Sequence, residues 1–179
     1  MARKRPNPAV VVKETCSDKI RHGEPPDDEC LRSAASHIVH DLELLHIAWE
    51  SRSLRIGWTL WFITARGLMD FFFRYERPKR NGEYQDDLLA ADFLAAGVWR
   101  SLAERLDKPA RYSAIRQAAN KLSGHLTYSR VDLGASGGIP PSPEVHEFLL
   151  AVAAIWLDHL EPERRIWFGR GLPSGARAL

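Results

Sequence analysis

The stretch Leu54-Arg55-Ile56-Gly57-Trp58-Thr59-Leu60-Trp61-Phe62-Ile63-Thr64-Ala65-Arg66-Gly67-Leu68-Met69-Asp70-Phe71-Phe72-Phe73 decides the fold. It is helix-long and apolar on most sides, the pattern of a helix buried at the centre of a helical protein. Its length would also suit a membrane span. Arg55, Arg66 and Asp70 argue against that, because a charge near mid-span costs roughly 2.5–3.5 kcal/mol on insertion scales. The expectation is a central core helix from Leu54 to Arg74 and no membrane contact.

Helices follow on both sides. Upstream, Leu31, Ala34, Ala35, Ile38, Leu42, Leu45 and Trp49 recur with a 3.6-residue period, which predicts a helix over about 28–50 capped by Asp27 or Asp28. Downstream, Pro78 and Asn81-Gly82 punctuate a loop. Asp86 and Asp87 then open a third helical region with Leu88, Leu89, Phe93 and Ala96 on one face; Gly97 interrupts it before Val98–Leu106. Pro109 suits the first turn of a fourth helix running to about Tyr128. Gly134–Pro143 reads as a loop, and Ser142-Pro143-Glu144 as the start of a last helix carrying Val145, Phe148, Leu149, Val152, Ile155, Trp156 and Leu160. No strand alternation is evident. The expected architecture is all-α, a bundle of four to five helices, with a disordered tail over 1–26, the bundle over 27–168 and a loose tail over 169–179.

A length of 179 residues with 45% hydrophobic content suits one domain with one core. A formal net charge of +2 argues against a general polyanion binder but leaves room for a local basic patch. No secretory signal stands in residues 1–30, and Cys16 and Cys30 are too few for a disulfide framework. They read as reduced thiols in a cytoplasmic protein.

Several polar residues lean inward. Arg66, Asp70 and Arg74 share a stripe of the second helix, Asp92 lies on the apolar face of the third, and His125 flanks that of the fourth. Charges in a core need partners, so a polar network is expected. It is either a structural ion-pair cluster or a site in which His125 moves a proton and Arg66 or Arg130 holds an anion. His37, His40 and His46 form no HExxH pair, so no metal or cofactor is expected. The Gly134-Ala135-Ser136-Gly137-Gly138 run lacks the lysine ending of a phosphate loop and reads as a linker.

The segments Ala65-Arg66-Gly67-Leu68-Met69-Asp70-Phe71, Asp86-Asp87-Leu88-Leu89-Ala90-Ala91-Asp92-Phe93 and Asn120-Lys121-Leu122-Ser123-Gly124-His125-Leu126-Thr127-Tyr128-Ser129-Arg130 resemble a group of uncharacterised bacterial helical proteins that are in turn similar to the HEPN superfamily. The resemblance covers roughly residues 50–132 and implies a small helical bundle of the kind found as ribonucleases in toxin–antitoxin and phage-defence systems. Active members carry an Arg followed, after about four to six residues, by a His, a short pattern that recurs by chance. Ala118, Ala119 and Asn120 occupy the required positions before His125, so the pattern is absent there. Arg32 and His37 fit the spacing but lie off the apolar face of their helix and read as solvated.

Two functions follow. The resemblance implies an RNA-binding or ribonuclease-like protein whose polar cleft combines Arg66, Asp92, His125 and Arg130. The missing spacing points instead to a non-catalytic, antitoxin-like interaction or scaffold protein, a homo-oligomer or the partner of another protein. Six tryptophans and an amphipathic final helix would suit such an interface.

Overall fold

The computed structural model describes residues 14–124 and 140–169. These residues are mostly helical, and no helix among them is long and apolar enough to cross a membrane.

Helix α1 spans Cys16–Arg21, α2 Asp28–Glu50 and α3 Arg55–Phe73. The Asp27 carboxylate caps α2 by accepting the Cys30 N–H at 2.9 Å. Leu31, Ala35, Ile38, Leu42, Leu45 and Ala48 bury the expected face. Helix α3 touches α2 along its length and also meets three later helices and the turn at Ala90, which makes it central as the apolar run requires. It is not buried all round, since Ile56 and Ile63 face outward. At the α2–α3 corner a Cβ on Gly57 would lie 2.1 Å from the Ser51 carbonyl oxygen, so only glycine lets the chain turn back this tightly.

Beyond α3 the chain forms a small hairpin that the sequence reading left as loop. β1 (Lys79–Arg80) pairs antiparallel with β2 (Glu83–Tyr84). Asn81 and Gly82 between them have φ of 53° and 88°, the left-handed pair that a two-residue hairpin turn demands. The helix expected from Asp86 is also corrected. Residues 85–89 are not helical, and only Ala90–Phe93 forms a 3₁₀ turn. The Asp92 carboxylate accepts the Leu89 N–H at 2.9 Å, so the turn starts there; Gly97, at φ 78°, separates it from α4 (Val98–Ala103).

Helix α5 (Tyr112–Gly124) begins after Pro109, whose carbonyl accepts the Tyr112 N–H at 2.9 Å. The expected continuation to Tyr128 lies outside the described residues. Helix α6 (Pro143–Asp158) starts where Ser142-Pro143 predicts, and α7 (Pro162–Arg165) with a 3₁₀ turn at Ile166–Phe168 ends the described chain. Arg164 ties this end down, donating to the Phe93 carbonyl and pairing with Asp28, both at 2.8 Å.

The core is rich in aromatic rings. Trp156 meets Phe71, Phe93 and Phe168 edge-on with centroids 5.1–5.3 Å apart. Buried indoles find acceptors: Trp99 donates to the Phe72 carbonyl at 2.7 Å and Trp156 to that of Ala90 at 3.0 Å.

The N-terminal expectations change most. Residues 14–26, expected within a disordered tail, include α1, whose start carries a reciprocal Thr15–Asp18 capping box. Cys16 and Cys30, expected as reduced thiols, form a disulfide. Cysteine count alone could not reveal that α1 folds back to bring their Cα atoms within 5.7 Å.

Candidate functional site

The stripe on α3 does gather charge, but the partners differ from those expected. Asp70 accepts from Arg116 of α5 at 2.8 Å and lies 3.4 Å from Arg74 and 3.8 Å from Arg66. Arg74 turns its other nitrogen to Asp87 at 2.5 Å. One carboxylate thus joins α3 to α5, and Arg74 ties α3 to the segment after the hairpin. Arg116, passed over in the sequence because it stands too far from His125, is the strongest of Asp70's partners.

Asp92 belongs to a separate arrangement. It pairs with Arg77, their side chains 9% and 15% exposed, and Arg77 Nε also donates to the Asp87 carbonyl at 2.9 Å. Arg77 sits in the segment read only as loop. Arg66 and Asp92 therefore do not share one cleft. His125 and Arg130, the other two proposed catalytic residues, lie outside the described residues, as does the Gly134–Gly138 run.

Two clefts flank Leu89. The first, about 260 Å³, lies between α2 and α3 and is lined by His37, Asp41, Asp70, Arg74 and Asp87. Its carboxylates outnumber its cations, which disfavours an anion. Partial burial raises the Asp41 carboxyl above the usual range, while His40 and His37 oppose the shift. Among the described residues no three His, Cys, Asp or Glu side chains are arranged to hold a metal ion. The second cleft, about 450 Å³, is open and lined by Ile20, Tyr75, Arg77, Tyr84 and Asp92 among others.

Cations lie over aromatic rings in the hairpin, at the end of α3 and at the start of α5; of these rings Tyr75 and Tyr84 line the second cleft, whereas Tyr112 is buried. Lys79 Nζ stands 4.3 Å from the Tyr84 ring centre, Arg100 lies 5.5 Å from that of Tyr75, and Lys108 lies 4.7 Å from Phe73 and 5.7 Å from Tyr112. Lys79, Arg80, Arg105, Lys108 and Arg111 are exposed, and none has a carboxylate partner among the described residues. Burial, reinforced by the Glu104 carboxylate, raises the Tyr75 hydroxyl, so it stays protonated at neutral pH. These residues are scattered from 73 to 112: Lys79 and Tyr84 meet within the hairpin, and α4 and α5 pack against α3, with Arg100 over Tyr75 and Tyr112 against Phe73.

Of the six tryptophans invoked for an interface, Trp61, Trp99 and Trp156 are interior, no more than 1% exposed, while Trp49, Trp58 and Trp167 are partly buried. Helix α6, likewise, buries Val145, His146, Leu149, Leu150, Val152, Ala153, Trp156 and Leu157.

Comparison with known proteins returns no match: no family model fits the chain, and neither a curated protein nor a solved structure is similar to it.

Proposed function

We propose that this chain is a HEPN-like helical bundle protein that binds single-stranded RNA on the face formed by the hairpin, α4 and the start of α5. The carrying observation is the placement of Lys79 over Tyr84, Arg100 over Tyr75 and Lys108 over Phe73, beside exposed Arg80, Arg105 and Arg111, which have no carboxylate partner among the described residues; Arg100 also donates to Glu104 at 2.8 Å. Single-stranded nucleic acid is held by such surfaces, where cations neutralise phosphates and rings meet bases. The acidic first cleft has no part in it. A ribonuclease role would call on His125 and Arg130, which lie outside the described residues.

The test is fluorescence anisotropy with a labelled single-stranded RNA. The variant Arg80→Ala/Lys108→Ala/Arg111→Ala should lose at least about tenfold in affinity while keeping its melting temperature, because these side chains contact phosphate rather than core. Equal affinity in wild type and variant would remove this face from the account.

A second reading, an interaction protein that pairs with another copy of this chain, draws on Ile56 and Ile63, which project from one face of α3 at 76% and 46% exposure. It predicts a dimer by light scattering that Ile56→Asp/Ile63→Asp abolishes; a monomer at all concentrations would dismiss it.

A further inference from the structure

We infer that the Cys16–Cys30 disulfide is a reversible redox site, open to exchange with a dithiol, that fastens α1 as one wall of the cleft beside Tyr84. Three observations carry it. First, α1 is only 6 residues long, too short to persist without outside support. Apart from the buried Ile20, its other ties are exposed polar contacts: Ser17 to Asp86 at 2.5 Å, Arg21 to Asp86 at 3.3 Å and Lys19 to Asp27 at 2.7 Å. Exposed pairs of this kind contribute little.

Second, α1 is separable from the core. Ile20 is buried, yet neither Ile20 nor Cys30 belongs to the continuous apolar cluster built from α2 to the Phe168 turn. Releasing α1 leaves that cluster intact. It removes Ile20, Gly23, Glu24 and Pro25 from the second cleft and uncovers the face of Tyr84 that now lies against Gly23.

Third, the bond can be reached. Cys16 is exposed and Cys30 is not, so an incoming thiolate attacks Cys16 Sγ. That attack forms a mixed disulfide and expels Cys30 as a thiolate from the first turn of α2. The second thiol of the dithiol then attacks its own bound sulfur and releases Cys16. Two electrons and two protons pass to the two cysteines, and the dithiol leaves as its disulfide.

Hydrogen exchange on the full chain, oxidised and after dithiothreitol, tests this. The amides of Lys19, His22 and Glu24, which are bonded to Thr15, Asp18 and Lys19 carbonyls, should exchange at least about tenfold faster after reduction, with α3 unchanged. Cys16→Ser/Cys30→Ser should show the faster rates with or without reductant. Equal rates in the oxidised and reduced protein would overturn the inference. So would α3 exchange accelerating in step with α1, or two free thiols persisting after treatment with oxidised glutathione. None of these outcomes depends on RNA binding.

Discussion

The indole N–H of Trp61 donates to Nδ1 of His146 at 3.3 Å, joining α3 to α6 through a buried imidazole that must be neutral to accept. Trp49 stacks on the same ring at 4.6 Å, with His46 beyond it at 6.4 Å and Arg52 over Trp49 at 4.1 Å. Burial, with His46 and Arg52 adding to it, pushes the His146 imidazole down to about 4.

That shift sets a pH dependence. The folded state binds the His146 proton less readily than the unfolded chain, where the imidazole titrates near 6.5. Its contribution is therefore complete above pH 6.5, declines as pH falls, and is gone below about 4. The loss is on the order of 3 kcal/mol. His146→Asn keeps an acceptor for Trp61 without the titration, so urea unfolding at pH 7 and pH 4 should show a smaller acid loss in the variant. Parallel losses in both proteins would contradict the assignment.

A second prediction concerns the α2–α3 corner. Gly57→Ala places a methyl group 2.1 Å from the Ser51 oxygen, so the corner must open. A destabilisation of about 3 kcal/mol is expected in denaturant unfolding, whereas Gly67→Ala, where a Cβ meets nothing within 4 Å, should be neutral or slightly stabilising. Equal effects at both positions would refute the close approach.

The long helices were legible because each carries its own periodic face and stop signal: Leu31 to Ala48 for α2, the run from Leu54 for α3, Ser142-Pro143 for α6. What escaped depends on contacts between distant segments. The stretch from Asp86 looks helical by pattern, yet Arg74 and Arg77 hold Asp87 while Asp92 turns back to the Leu89 N–H. The partner of Asp92 is Arg77, which lies in a loop with no periodicity to place it. The cation–aromatic face had no signal at all, being spread over four elements, and the disulfide depends on where α1 docks.

The Arg77–Asp92 pair yields a third prediction. Asp92→Ala strands a mostly buried guanidinium and frees the Leu89 N–H, at a cost of about 3 kcal/mol. The double variant Arg77→Met/Asp92→Leu should recover part of that loss, since an apolar pair leaves no buried charge. Thermal unfolding of the two variants measures this, and a double variant no better than the single would show that the charge is not what matters.

The central claim is an RNA-binding face whose cations meet phosphate, and its most direct test is the affinity of the wild-type chain for a single-stranded RNA across a series of salt concentrations. Single strands give a slope of about −0.7 per phosphate neutralised, so Lys79, Arg80, Arg105, Lys108 and Arg111 together predict a log–log slope of about −3 to −4. Tyr75→Ala should weaken binding without changing that slope, because a ring supplies stacking rather than charge. A slope near zero, or no binding even at low salt, would contradict the account.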